Sequence, residues 1–265
     1  MSQPNIRLII IGDEILSGRR EDKHFARLVA LLKERGLALH SAQIISDDPD
    51  HVETVLRQSF ATDDIVFSCG GIGATPDDQT RQAAARALGV ELRLHPEAAA
   101  LIAERTKEQA DAGQGQADMT LPENQQRLQM GVFPVGADIV PNPYNKIPGF
   151  FIHNHTFMPG FPVMAWPMME WTLDNRYGHL HHLTVKAEHS FLAFALPESR
   201  ITPSLQQLER QWPGVKAFSL PSVGDNQRRP HIELGVKGEP QACAEALAFL
   251  RGEVQRVGGK LTAID

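Results

Sequence analysis

The stretch Ile6–Ile11 (IRLIII) is an apolar run closed by Gly12. A run of that kind suits a strand buried on both faces, as in a parallel sheet. At residues 25–32 the spacing becomes helical, with Phe25, Leu28, Val29 and Leu32 on one face and Gly36 as the stop. Residues 37–45 predict a second strand, 52–60 a short helix, Ile65–Cys69 (IVFSC) a third apolar strand, and 83–88 a helix ended by Gly89. Strand and helix thus alternate, which predicts right-handed βαβ units and a parallel sheet with helices on both faces.

Residues 96–112 predict another helix, followed by a polar loop at 113–117 (GQGQA). Strand-like pieces follow at Asp138–Val140, 150–153 and 156–158, and the turn PGFP at 159–162 leads into a helix over 163–176. Beyond the histidine-rich stretch at 177–182 the pattern changes. It predicts strands at 183–186, 191–196, 216–220 and 232–236, with helices at 202–212 and 241–257. That order of strands and helices predicts a small split α/β domain.

Composition narrows the partners. The chain has 265 residues, enough for one large domain or two modest ones. Its net charge is -6, from 26 basic and 32 acidic residues. A mild acidic excess argues against non-specific nucleic-acid binding, which needs a basic face. It leaves room for a local anion site. Cys69 and Cys243 lie far apart and form no CxxC pair, so a disulfide framework is not expected and a reducing compartment fits. The N-terminal MSQPNIRLIIIGDEIL lacks a basic n-region and a long apolar h-region. No stretch approaches the ~20 apolar residues that span a bilayer. The expectation is a cytoplasmic protein with no membrane and no nucleic-acid partner.

The chemistry is expected at SCGGIGATPDDQT, directly after the third strand. Gly70, Gly71 and Gly73 free the backbone to take positive φ and to approach a ligand closely. Thr75 is placed to cap the next helix, with Pro76 at its first position and Asp78 three residues after the cap. A tight turn running straight into a helix N-terminus offers free N–H groups and a favourable dipole, an anion site. The absence of GK[ST] excludes a Walker A loop, and the spacing of Gly71, Gly73 and Pro76 breaks GxGxxG. The same letters also read as a plain capping box whose glycines only shape a turn.

Gly12, Asp13 and Glu14 end the first strand, so their side chains are expected at the same edge of the sheet. An acid there repels a phosphate unless a divalent cation lies between them, and Asp13 with Asp78 could hold one. The alternative is a carboxylate that merely satisfies loop N–H groups. PGFP supplies a third candidate: Pro159 and Pro162 stiffen the turn and Gly160 permits close approach, so it either clamps the far end of a ligand or is an ordinary loop.

Taken together, these segments resemble the molybdopterin-binding (MoaB/MogA-like) domain, and more closely the N-terminal half of the competence/damage-inducible protein A (CinA) family. The resemblance is carried by GDEILSG at 12–18, GGIGATPDDQT at 70–80, Asn124 with Arg127, PVGADIVPNP at 134–143, IPGF at 147–150 and MPGFP at 158–162. It implies a doubly wound, mostly parallel α/β sheet over residues 1–178, then a small CinA-like α/β domain over 183–265. It implies a small-molecule phosphate ligand, either molybdopterin or a nucleotide, bound by Gly12, Glu14, Gly70, Gly71, Gly73, Thr75, Thr80, Pro159, Gly160 and Pro162. In MogA-like proteins the aspartates matching Asp13 and Asp78 serve adenylyl transfer in molybdenum cofactor biosynthesis. In CinA-like proteins the domain is associated with hydrolysis of ADP-ribose and similar pyrophosphates, dependent on Mg²⁺, Mn²⁺ or Co²⁺. Both readings make Asp13 and Asp78 the catalytic and metal-holding pair. The resemblance also implies a homo-oligomer, and these 265 residues hold no counterpart of the amidohydrolase domain of full-length CinA-like members.

The chain departs from the CinA-like pattern at four places. His24 stands near a usual Asn, Ala74 replaces a proline, and Val163-Met164-Ala165 replace Ser-Glu-Met, which removes a glutamate beside the second turn. YNKIPG replaces a more glycine-rich stretch, so Lys146 is expected to add a positive charge facing the ligand. Of the other residues, His153 and His155 alternate as if on one strand face, and His179, His181 and His182 cluster without zinc spacing. Trp166 and Trp171 are expected in a core or interface, and Cys69 as a small buried residue rather than a nucleophile.

Overall fold

Alternate residues of the first strand, β1 (Ile6–Ile11), point to opposite sides and find a core on each. In this computed structural model, which describes residues 4–183, 187–224 and 229–262, the chain divides into two compact units, Met1–His181 and His182–Asp265. The first unit continues with α1 (Asp13–Leu16), α2 (His24–Glu34), β2 (Leu39–Ile45), α3 (Pro49–Phe60), β3 (Ile65–Cys69), α4 (Thr80–Leu88), β4 (Leu92–Leu94) and α5 (Pro96–Asp111). It closes with α6 (Pro122–Leu128), β5 (Val132–Pro134), β6 (Asp138–Val140), β7 (Gly149–Ile152), β8 (His155–Met158) and α7 (Pro162–Arg176).

Six of these strands form one sheet in the order β2-β1-β3-β8-β7-β6, in which β2, β1, β3 and β8 run parallel. The hairpin β7–β8 adds an antiparallel flank, and β4 pairs with β5 separately. On one face Ile6, Leu8 and Ile10 pack with Leu28, Leu31 and Leu32 of α2 and with Met168, Met169 and Leu173 of α7. On the other, Ile9 and Ile11 pack with Val52 and Leu56 of α3 and with the alanines of α4 and α5. This is the doubly wound, mostly parallel arrangement that the alternating pattern predicts. Each fully buried leucine contributes about 1.5–3 kcal/mol, so the two cores hold the sheet between them.

The antiparallel flank has its own fastening. Phe150 and Phe157 face each other across β7 and β8 with ring centroids 4.3 Å apart, and Phe133 stacks on Phe150 at 5.0 Å. His153 and Asn154 form the two-residue hairpin turn, both with positive φ (47° and 59°), the geometry that matches strand twist. His153 therefore sits in a turn and does not share a strand face with His155, contrary to the alternation in the sequence.

The second unit consists of β9 (Ala187–Phe194), α8 (Glu198–Gln211), β10 (Lys216–Ser222), β11 (His231–Gly238), α9 (Pro240–Arg256) and β12 (Lys260–Thr262). Its sheet is antiparallel, in the order β10-β11-β9-β12, around Phe191, Leu208, Leu234, Val236 and Leu250. The expected strand at 183–186 lies, except for its first residue, outside the described residues. The strand β12 closes the sheet beside β9 and adds an element to the expected order. No helix among the described residues is long and apolar enough to cross a membrane.

Candidate functional site

The chain runs from β1 to β2 on one side and then, through α3, to β3 on the other. That reversal of direction makes the carboxyl ends of β1 and β3 the topological switch point of the sheet, the place where ligands of open α/β sheets bind. Four loops meet this edge: Ser46–Asp48 after β2, Gly12–Glu14 after β1, the glycine turn after β3, and PGFP after β8.

The glycine turn starts under the end of β1. Gly70 has φ 109°, its N–H donates to the Met158 carbonyl at 2.9 Å, and a Cβ on it would stand 2.1 Å from the Ile11 carbonyl oxygen. Gly71 (φ 68°) lies as close to Thr80 Oγ1. Thr80 is buried; its hydroxyl donates to Gly70 O at 3.2 Å and its N–H to Gly71 O at 3.0 Å. Arg81, also buried, donates from its guanidinium to Ile72 O at 2.8 Å and Gly73 O at 2.6 Å. Burial lowers this guanidinium to about 10, which still leaves it charged at neutral pH. Gln126 Nε2 takes the next carbonyl, Ala74 O, at 2.6 Å.

Five consecutive carbonyls, from Gly70 to Ala74, are therefore occupied within the protein. No hydrogen bond among the described residues uses the amides of Gly71, Ile72, Gly73 or Ala74. A run of amides without partners on a glycine-bent backbone leaves hydrogen-bond donors uncommitted. Thr80 serves here as a clamp on the turn, from a fully buried position. Arg81 escaped the sequence reading, because in DDQTR it looks like a solvent-facing helix residue.

Thr75 does not cap a helix beginning at Pro76. Asp78 instead turns its carboxylate back onto the Thr75 N–H, at 3.0 Å, and onto the Thr75 hydroxyl, while the Asp78 N–H donates to Thr75 O at 3.0 Å. This local turn competes with helix, as short acidic side chains do, and α4 begins only at Thr80. The uncommitted amides thus belong to the turn itself, ahead of the helix. A Cβ on Gly73 would stand 2.5 Å from Asp78 Oδ2, so a side chain there displaces the Asp78 carboxylate.

The acids of the edge group around a residue that the motif reading missed. The Asp13 N–H donates to Asp47 Oδ2 at 3.0 Å, and the Asp47 N–H donates to Asp13 Oδ1 at 3.4 Å. Burial raises the Asp47 carboxyl, and the negative charges of Asp13, Glu14 and Asp77 raise it further, against the pull of the Asp13 amide. Gly12 continues the ladder of β1 with its N–H on Ile45 O at 3.1 Å. Asp13 is thereby grouped with Asp47, and Asp78 is engaged with Thr75. Among the described residues no three His, Cys, Asp or Glu side chains stand in metal-holding geometry.

PGFP forms the other wall. A Cβ on Gly160 would lie 3.7 Å from the α-carbon of Gly70, so the two turns abut. His24, 4% exposed, contacts the Gly160 carbonyl through Nε2 at 3.0 Å. Because a carbonyl only accepts, Nε2 is the donor of this contact, while Nδ1 is buried and has no partner among the described residues. Pro159 precedes the turn's glycine and Pro162 opens α7, while Phe161 and Val163 stand exposed beside it.

Other expected contributors lie elsewhere. Lys146 does not present a free charge to a ligand: its Nζ is held by Glu104, at 2.6 Å, and by Glu108, carboxylates one turn apart on α5, which raise its pKa. His155 is buried, with Nε2 2.7 Å from Ser59 Oγ. Trp166 and Trp171 pack, partly buried, on the α2–α7 core. Cys69 is fully buried and its thiol is pushed well up by that burial, which removes it as a nucleophile.

Comparison with known proteins adds sequence relatives to this geometry. Residues 7–179 match the family described as "Probable molybdopterin binding domain". A CinA-like protein of Anaeromyxobacter sp. (strain Fw109-5) is 27% identical over 253 residues, covering 88% of this chain and 59% of that protein. A CinA-like protein of Geobacter metallireducens is 28% identical over 97% of this chain and 61% of its own length. The chain therefore spans about three fifths of the length of these two relatives. The crystal structure of the CinA protein from Thermoplasma acidophilum is similar with a TM-score of 0.54 at 27% identity, covering 64% of this chain and 96% of that one.

Proposed function

The chain belongs to the molybdopterin-binding domain family, and from that premise we propose that it binds a pterin or nucleotide through a phosphate or pyrophosphate at the 70–80 turn. One observation carries the reading. The turn spends five successive carbonyls inward and leaves the amides of Gly71, Ile72, Gly73 and Ala74 without partners among the described residues. Such a backbone offers donors and no acceptors, which suits an anion and discriminates against a cation. By family likeness Gly12, Glu14, Pro159, Gly160 and Pro162 would complete the ligand contacts, and the approach of Gly160 to Gly70 supports the part of PGFP. Calorimetry with AMP, ADP-ribose and molybdopterin tests the proposal. Binding of at least one, weakened in Gly73→Ala, is the expected result, and no heat with any of the three removes it.

A second reading, divalent-metal-dependent hydrolysis of an ADP-ribose-type pyrophosphate, is favoured by the acids beside the turn. Asp13, Glu14 and Asp77 lie close enough to Asp47 to raise its pKa by repulsion, and hard carboxylate oxygens are the donors that Mg²⁺, Mn²⁺ or Co²⁺ accepts. Asp13 and Asp78 would hold the ion by family likeness, with Asp47 added by this geometry. A bound cation would neutralise phosphate charge and supply an activated water. The assay is AMP release with each metal in turn. Turnover that persists undiminished in both Asp13→Asn and Asp78→Ala excludes this reading while leaving phosphate binding intact.

A further inference from the structure

The helix α2 is apolar on two sides. Leu28, Leu31 and Leu32 are buried in the core. On the opposite side Phe25, Ala26, Val29 and Ala30 are all exposed, Phe25 by 48% and Val29 by 38%. A surface helix ordinarily turns charged and polar residues to that side. An apolar stripe there, rimmed by charge, marks an interaction surface.

The charges of this face stand at its two ends. Asp22 lies just before the helix, where its carboxylate accepts the N–H groups of His24 at 2.8 Å and Phe25 at 3.0 Å. Lys33 lies in the last turn, exposed, and four residues beyond Val29 it shares the same side. The stripe therefore reads acid, large, small, large, small, base: Asp22, Phe25, Ala26, Val29, Ala30, Lys33.

That order is its own complement when reversed. With an identical helix laid antiparallel across it, Phe25 meets Ala30 of the second copy, Val29 meets Ala26, and Asp22 meets Lys33. A two-fold axis makes each pairing twice. Large residues then fill the spaces over small ones, and each end of the helix brings the charge that the other end needs. A parallel arrangement sets Phe25 on Phe25, Asp22 on Asp22 and Lys33 on Lys33, and is disfavoured by both size and charge.

We propose that α2 is the seam of a two-fold dimer of this chain. The inference is independent of the ligand reading. A specific dimer buries about 800 Å² on each partner, more than one helix stripe supplies. The elements beside α2 add to it: β2 packs against both α1 and α2, and Leu16 of α1 and Ile44 of β2 are likewise large, apolar and exposed.

Sedimentation velocity of the whole chain, at concentrations up to about 100 μM, tests the proposal. The expected species is a dimer. Val29→Lys puts a charge into the apolar middle of the seam, and Lys33→Glu sets a like charge against Asp22 of the second copy. Each raises the dissociation constant at least about tenfold and keeps the circular dichroism of the parent. Raised salt eases the loss in Lys33→Glu. Lys107→Glu, an exposed change on α5, leaves the dimer as it was. A chain that stays monomeric throughout the range overturns the proposal and leaves the stripe to a different partner. A trimer overturns it too, because a two-fold axis cannot relate three copies. So does a dimer that tolerates Val29→Lys and Lys33→Glu as well as it tolerates Lys107→Glu, since its interface then lies on another face.

Discussion

Arg81 reaches back from the first turn of α4 and donates to the carbonyl of Ile72 at 2.8 Å, deep in a turn that precedes it by nine residues in sequence. Its second nitrogen holds Gly73 O, so one buried cation sets the direction of two peptide planes. Hydrogen bonds from a charged donor contribute about 1.5–3 kcal/mol each. Arg81→Met keeps most of the volume and loses both. The expected outcome is a loss of about 2–4 kcal/mol in urea unfolding, together with weaker phosphate binding. An unchanged urea midpoint would falsify the assignment of Arg81 as the clamp.

Gly70 offers a sharper steric test. A methyl group there meets the Ile11 carbonyl at 2.1 Å, on a backbone at φ 109° that non-glycine residues avoid. Gly70→Ala is expected to cost about 3 kcal/mol or more by prying β1 from β3. Gly18→Ala serves as the comparison, because no atom lies within 4 Å of a Cβ at that positive-φ glycine. Equal losses of melting temperature in the two variants would mean that backbone strain alone, and not the strand contact, accounts for the effect.

His24 ties α2 to the Gly160 carbonyl. His24→Phe retains a ring in the buried position and deletes the donor. About 1 kcal/mol of stability should be lost, and hydrogen exchange at residues 159–164 should quicken while that of β1 and β3 stays slow. Exchange that is unaltered at PGFP would show that the prolines alone hold the turn.

Stability should also respond to acid through His155. Burial pushes this imidazole from 6.5 down to about 4, so the unfolded chain binds its proton first. Stability therefore rises with pH across that interval: the contribution is complete above about 6.5 and is lost as pH falls toward 4, to a limit of about 3 kcal/mol. Urea unfolding at pH 7 and pH 4.5 measures it, with His155→Gln as the control expected to flatten the slope. A variant as acid-sensitive as the parent would place the titration elsewhere.

How far the sequence could be read depends on burial. β1 and β3 were legible because strands covered on both faces must be apolar throughout. β2 lies at the sheet edge, with His40 and Ile44 exposed, and its period is correspondingly blurred. Of the three-residue strands among the described residues, β6 was expected from the apolar pair after Asp138, while β4, β5 and β12 show no legible period. At Thr75 the letters TPDD satisfy a helix cap and a local turn equally. The choice is made by Thr80, whose N–H is drawn to Gly71 nine residues upstream. Asp47 and Arg81 carry no motif because their importance arises from neighbours brought in by the fold, respectively β1 beside β2 and the glycine turn over α4. The glycines themselves were legible for the opposite reason, since a bent backbone leaves its mark in the residue type.

The pairing of β3 with β8 joins Val66 to His155, residues 89 apart in sequence. A chain emerging from the ribosome thus completes its glycine turn long before the strand that braces it exists. Until Met158 is made, the Gly70 N–H has no carbonyl to meet and Gly160 is not yet there to close the second wall. Such distant closure is slow relative to local helix formation. The bracing of the turn is therefore a late event in the life of this chain, and a fragment ending before β8 carries the most recognisable motif of the protein without its brace.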